Sequence, residues 1–291
     1  MSALLLPLSW IYCAIATSLA RCTQKRDFDV PVVSVGNLVA GGSGKSPVVE
    51  ALAKRYDKAA VVLRGYGRKS RGVVVVSRWG VIEVDVKRSG DEAMMLAKAL
   101  PKACVIVSEN RDKGIQKAKE LGAEVVFLDD GFRHCLEKLD ILIQPSTPNS
   151  WCLPSGPYRL SPRLAKRADI VLKPEDMVKE VRVRHATPRM VLVTAIANPA
   201  RLDPFLPPLV ARYEFVDHHD FTKEELQKIW QKERPDSFLV TAKDAVKLER
   251  FGYPLSLLEL SLQLPHWLYE RVDNYVKEYY AKKDSDRSDA A

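Results

Sequence analysis

The chain has 291 residues, of which 46% are hydrophobic and 28% charged. That composition excludes a disordered chain, a collagen and a polytopic membrane protein, and the length suits two domains at roughly 150 residues each. Lys and Arg outnumber Asp and Glu by 45 to 37, a formal net charge of +8, which favours anionic partners such as phosphates, nucleic acid or an acidic membrane face without choosing among them.

Residues 1–20 carry no charged side chain, and Arg21, Lys25 and Arg26 follow them. A secretory signal needs its positive charge before the apolar run, so export is disfavoured. The run is just long enough to span a bilayer, but Pro7, Ser9, Thr17 and Ser18 dilute it. An interfacial helix with Trp10 and Tyr12 at headgroup level fits as well. A buried core helix is the third reading. We take residues 1–26 as a membrane-associated helix, with everything after it in the cytoplasm.

From residue 30 onward strands and helices alternate. Strands are expected at 30–35, 59–63, 104–108, 124–128, 139–143 and 170–172, and helices at 45–56, 91–100 and 111–121. A hairpin is expected over 73–86. This order predicts an α/β fold with a mostly parallel sheet wrapped by helices. Residues 145–164 hold five prolines and little periodicity; so long an irregular segment inside a domain is usually functional. The charged stretch 174–189 suggests a hinge. A second, smaller α/β unit follows, with strands at 190–195, 237–241 and 255–262 and helices at 222–232 and 266–282. The predicted domains are therefore 27–173 and 190–283, with a polar tail over 284–291.

The cysteines are Cys13, Cys22, Cys104, Cys135 and Cys152. An odd count without C-x-x-C spacing predicts reduced thiols and no disulfide framework. Cys135 follows His134, but no second ligand pair stands at finger-like spacing, so zinc is not expected.

Gly41, Gly42, Ser43, Gly44, Lys45 and Ser46 lie between a strand and a helix. Small residues there let backbone N–H groups curl round phosphate oxygens, and the helix N-terminus adds partial positive charge. Lys45 would reach the β- and γ-phosphates and Ser46 would ligate Mg²⁺. The strict P-loop pattern fails at one place, since Val39 stands where the first Gly belongs. An apolar strand ending in Asp129 and Asp130 is a Walker-B arrangement that would hold Mg²⁺ at the sheet's C-terminal edge. The two features together imply a nucleotide triphosphatase or a kinase with ATP and Mg²⁺.

Further motifs join these two. Ser34-Val35-Gly36-Asn37 and the loop 41–47 resemble the signature of the tetraacyldisaccharide 4′-kinase family. So do Arg64-Gly65-Tyr66-Gly67-Arg68, Gly90-Asp91-Glu92, Asp129-Asp130-Gly131-Phe132, Pro154-Ser155-Gly156-Pro157, residues 195–199, Asp217-His218 and residues 241–247. The resemblance implies a P-loop NTPase-type α/β/α domain joined to a smaller α/β domain. It implies transfer of the ATP γ-phosphate to the 4′-hydroxyl of a tetraacyldisaccharide 1-phosphate, giving lipid IVA. The expected place is the cytoplasmic face of the bacterial inner membrane, with the N-terminal helix as anchor and no obligate protein partner. It also implies a catalytic pair, Asp91 and His218, acting beside Lys45. Asp91 taken alone could be a helix N-cap, and His218 taken alone a surface histidine.

Arg64 and Arg68, in a basic glycine loop, could meet ATP phosphates, the lipid 1-phosphate or anionic headgroups, or simply be solvated. Glu92 and Arg159 are the other candidates for substrate contact. Three departures from the family pattern stand out: Arg133 in place of Gln, Leu160 in place of Glu, and Ala242 in place of Glu. The alternative is a membrane-tethered P-loop ATPase or GTPase without lipid kinase activity; a GTPase switch would need an N-K-x-D sequence, and none occurs. A nucleic-acid binder would show a recognition module, and the basic residues are scattered instead.

Overall fold

The computed structural model describes residues 5–20, 22, 24–40, 44–144, 147 and 149–288. Short apolar runs rich in Val and Ile form the strands of an eight-stranded sheet. They are β1 (Val32–Gly36), β2 (Ala59–Leu63), β3 (Val74–Arg78), β4 (Val81–Ile82), β5 (Cys104–Val107), β6 (Val125–Asp129), β7 (Leu139–Ile143) and β8 (Ile170–Leu172). Their order is β4-β3-β5-β2-β6-β1-β7-β8. The six strands from β5 to β8 run parallel, and the β3–β4 hairpin adds an antiparallel edge.

Side chains alternate across a strand, so β1 sends Val33 and Val35 to one face and Val32 to the other. The first face packs on α2 (Lys45–Ala53) and α4 (Asp91–Ala99), through Val48, Leu52 and Leu96. The second packs on α5 (Arg111–Glu120) through Ile115 and Ala118. A short α3 (Val86–Ser89) leads into α4. The result is the three-layered α/β arrangement that the alternating pattern predicts.

The second sheet has the order β11-β10-β12-β13-β9. It comprises β9 (Val178–Arg184), β10 (Met190–Thr194), β11 (Ala211–Glu214), β12 (Ser237–Thr241) and β13 (Leu255–Gln263). Helices α6 (Lys223–Glu233) and α7 (Ala242–Leu248) cover one face. A capping box starts α6: Thr222 accepts from Glu225 N while Glu225 accepts from Thr222 N. Within the charged segment 174–189, β9 pairs antiparallel with β13 along its whole length. Its alternation was hidden by charge, Val181 and Val183 facing the core while Arg182 and Arg184 stay outside. The last helix, α8 (His266–Ser288), runs past the expected end at 282. It returns to the first sheet, where Leu268 and Val272 enter the core and Lys283 pairs with Asp27 and Asp29.

At the N-terminus, α1 (Leu6–Leu19) is 14 residues long, and among the described residues no helix is long and apolar enough to cross a membrane. Several of its small and polar residues face the protein. Ser9 is buried and accepts from Ser155 N at 3.0 Å, and Thr17 accepts from Ser161 N at 3.3 Å. Cys13 and Ala16 pack on a cluster containing Leu38, Phe132, Tyr158 and Leu160. The large apolar side chains point outward, with Trp10 71% and Leu19 83% exposed.

The expectation of reduced thiols does not hold in this structure. Cys13 bonds to Cys152 and Cys22 to Cys135, joining the N-terminal segment to the body, while Cys104 is free and buried. Each pair lies more than a hundred residues apart in sequence, so local spacing carries no sign of it.

Leu160 explains one departure from the family pattern. It is only 3% exposed, inside the cluster beneath α1. Leu160→Glu should destabilise the protein by ~3 kcal/mol through an unpaired buried carboxylate, and Leu160→Met should be nearly neutral. Thermal melts of the two variants check this; an unchanged melting temperature for Leu160→Glu would show that the position reaches solvent.

Candidate active site

Backbone pairing sets the first half of the site. Val35 of β1 lies opposite Asp129 of β6, so the chain entering the expected phosphate loop and the acidic strand end leave the sheet side by side. Gly41, Gly42 and Ser43 lie outside the described residues. Gly44 precedes α2 in a left-handed conformation, φ +78°, which glycine adopts without a Cβ penalty. Immediately after it, Ser46 Oγ donates to Asp129 Oδ2 at 2.8 Å, and Lys45 Nζ lies 3.9 Å from Asp130 Oδ1.

The two adjacent carboxylates have opposite environments. Asp129 is buried, and burial first, then the neighbouring charge of Glu92, pushes its carboxyl up to about 6. Its Oδ1 has no hydrogen-bond partner among the described residues. Burial also works against the charge of Asp130, but Lys45 and Arg159 outweigh it and hold that carboxyl below its ordinary value. Arg159 donates to Asp130 Oδ1 at 3.2 Å and to Asn37 Oδ1 at 2.8 Å.

An orphaned, buried carboxylate oxygen beside a serine hydroxyl is a hard-oxygen donor set that fits Mg²⁺. Among the described residues no group of three or more His, Cys, Asp or Glu side chains could hold a metal.

Arg111 was not anticipated. Buried at the start of α5, it donates to Ser108 O at 2.7 Å and to Asp129 O at 3.2 Å, bracing the acidic strand end. Burial lowers its pKa first, opposed by Asp129 and Asp130 and reinforced by Arg64 and Arg133. In the sequence it looks like any first-turn arginine after an Asn cap.

The second half of the site spans the two sheets. Asp91 opens α4, but the N-cap is Gly90, and the Asp91 side chain makes no cap. Instead Asp91 Oδ2 lies 3.1 Å from His218 Nδ1 and 3.2 Å from Lys247 Nζ. Gly90 has φ +84°, and a Cβ there would stand 2.9 Å from Tyr66 O; the basic glycine loop is thus pressed against the start of α4. His218 sits in the left-handed region, φ +63°, a strained conformation for a non-glycine residue. The Tyr66 ring covers it at 5.2 Å between centroids. Beyond the imidazole, Lys243 Nζ lies 3.5 Å from Nε2 and bonds Asp217 at 2.8 Å.

The other candidates divide. Glu92 is exposed beside Asp91, near enough to act on Asp129. Arg64 is exposed, and its charge reaches Arg111. Arg68 is turned inward. Its side chain is 3% exposed, paired with Glu109 and donating to Gly72 O at 2.6 Å and Val107 O at 3.3 Å.

A family model described as tetraacyldisaccharide-1-P 4′-kinase matches residues 1–186 and 173–277. The chain belongs to this family. The tetraacyldisaccharide 4′-kinase of Helicobacter acinonychis (strain Sheeba) is 47% identical over 279 residues, covering 94% of this chain and 89% of that one. The enzyme of Aliarcobacter butzleri (strain RM4018) is 44% identical over 290 residues, covering 96% and 92%. A crystal structure of LpxK from Aquifex aeolicus in complex with ATP superposes with a TM-score of 0.78 at 27% identity, covering 95% of this chain and 98% of that one.

The raised pKa of Asp129 generates a pH-dependent prediction. The folded state holds this proton up to about 6, whereas an unfolded Asp releases it near ~3.9. Stability therefore falls as pH rises through that window, and the charged form burdens the ligand-free fold at about pH 7. Asp129→Asn should raise the melting temperature of the ligand-free protein at about pH 7, with less gain at about pH 5. It should also abolish the further stabilisation by Mg²⁺ with ATP. Melts at the two pH values, with and without nucleotide, check both parts.

Proposed function

We propose that this protein transfers the γ-phosphoryl group of ATP to the 4′-hydroxyl of a tetraacyldisaccharide 1-phosphate, making lipid IVA. The observation that carries this reading is the contact of Asp91 with His218 across the two sheets, beside Lys45, Ser46, Asp129 and Asp130. Phosphoryl transfer asks mainly for positioning and for charge stabilisation around the transferred group. Lys45 and Arg159 supply positive charge at the acidic strand end, and Ser46 with Asp129 would hold Mg²⁺. When bound, that ion supplies charge neutralisation on the phosphate oxygens.

In the reaction, the 4′-oxygen bonds to the γ-phosphorus while the bond from that phosphorus to the β,γ-bridging oxygen breaks, releasing ADP. The hydroxyl proton needs an acceptor. Asp91 Oδ2 is already engaged by His218 and Lys247, so Oδ1 is the oxygen assigned to it. His218 orients the carboxylate and takes part of the proton's charge.

The outward apolar face of α1 supports contact with the membrane interface from the cytoplasmic side. The segment that α1 grips through Ser155 and Ser161 also carries Arg159 to Asp130. A lipid held at the membrane surface would thus meet the phosphate site without leaving the bilayer entirely. In this reading residues 27–173, with α8 packed on them, hold the nucleotide, and the second sheet faces the acceptor.

With labelled ATP and a tetraacyldisaccharide 1-phosphate in detergent, Lys45→Ala should reduce labelled lipid by roughly 10²-fold or more. Asp91→Ala and His218→Ala should each lower kcat strongly, and the double variant should lose less than the product of the two. Full activity in either single variant refutes the pair. Replacing Trp10, Ile11 and Ile15 together by Ser should release the protein from lipid vesicles in a flotation assay while leaving activity in detergent intact. Undiminished flotation would rule out this face as the contact.

A further inference from the structure

We propose that Lys247 is a positioning residue for phosphoryl transfer, fixing the Asp91 carboxylate against His218 and latching α7 onto α4. The proposal rests on the Asp91–His218 reading above. Lys247 ends the 241–247 motif, to which sequence reasoning attaches no chemistry. A lysine is rarely buried unless paired, yet this side chain is only 5% exposed.

An ammonium has three donors and no acceptor, and polar groups surround this one. It lies 3.2 Å from Asp91 Oδ2, donates to His219 O at 3.0 Å and stands 4.0 Å from Asp244 Oδ1. The Phe221 ring lies under it, with its centroid 5.3 Å away.

The partners of Lys247 are themselves fixed. Asp244 is fully buried and accepts from Thr194 Oγ1 and Thr241 Oγ1, each at 2.8 Å, and from Ala195 N at 3.1 Å. Ala195 O in turn accepts from His218 N at 3.2 Å. The ammonium and the imidazole therefore hang from one strand end, β10, and both reach the same oxygen of Asp91. The carboxylate is gripped at Oδ2 from two directions and cannot rotate without breaking both contacts. Lys243 differs: it lies on the far side of the imidazole, toward Asp217, and does not touch Asp91 in this network.

The test is a double-mutant cycle on the full-length protein with labelled ATP and tetraacyldisaccharide 1-phosphate. Lys247→Met should lower kcat by ~10-fold or more, with ATP affinity by calorimetry unchanged within about twofold. In an Asp91→Asn background the same change should cost less than about twofold, because the group it positions is already gone. Lys247→Gln keeps a donor and serves where the Met variant does not fold; it should retain ATP affinity and lose kcat to a smaller degree. Near-normal kcat in Lys247→Met overturns the proposal. So do equal losses in both backgrounds, or a loss of ATP binding in both Lys247 variants, since either marks a merely structural role. Full activity of Asp91→Asn overturns the Asp91–His218 reading and this proposal with it, whereas inactive Asp91 and His218 variants beside a fully active Lys247→Met overturn this one alone.

Discussion

The site depends on one carboxylate reached from outside its own sheet. Asp91 belongs to α4 on the first sheet, and its side-chain partners, His218 and Lys247, both belong to the second. Neither sheet alone holds the arrangement. A charge in a half-buried place needs compensation, and the fold supplies it by docking α7 on α4. The same docking brings the imidazole of a strained residue to the start of a helix, where negative charge is already favoured by the backbone dipole. Docking of the two units and assembly of the proposed catalytic pair are therefore one event.

The phosphate side is built on a different principle. Asp129 and Asp130 are neighbours in sequence, yet one is pushed toward neutrality by burial and the other is kept ionised by Lys45 and Arg159. The buried, unsatisfied oxygen of Asp129 is costly in the folded protein. Arg111 bears part of the burden by holding the backbone of the same residue.

The N-terminal helix inverts the usual soluble pattern. Ser9, Cys13, Ala16 and Thr17 pack on the body, and its tryptophan, isoleucine and exposed leucine side chains face out. Two of the polar residues that weaken residues 1–20 as a spanning segment, Ser9 and Thr17, are therefore docking contacts. That division could not be read from composition, since a polar residue in an apolar run looks the same whether it faces water or a partner. The two cysteine pairs reinforce the docking; their spacing of more than a hundred residues made them invisible to a local reading.

By itself the sequence determined what local chemistry determines. Val- and Ile-rich runs bounded by turns predicted the strands of the first sheet, because strand and helix periods are written in neighbouring residues. The Gly-Lys-Ser loop and the apolar strand ending in two Asp announced a phosphate site for the same reason, and the linked motifs pointed to the family. Only the tertiary structure decided what each charged side chain does. It turned Arg68 inward onto Glu109, gave Arg111 a bracing role, hid β9 within a charged run, and brought Lys247 to Asp91 from 156 residues away. Those outcomes depend on which surfaces meet, and contacts between distant segments leave no periodic trace in the chain.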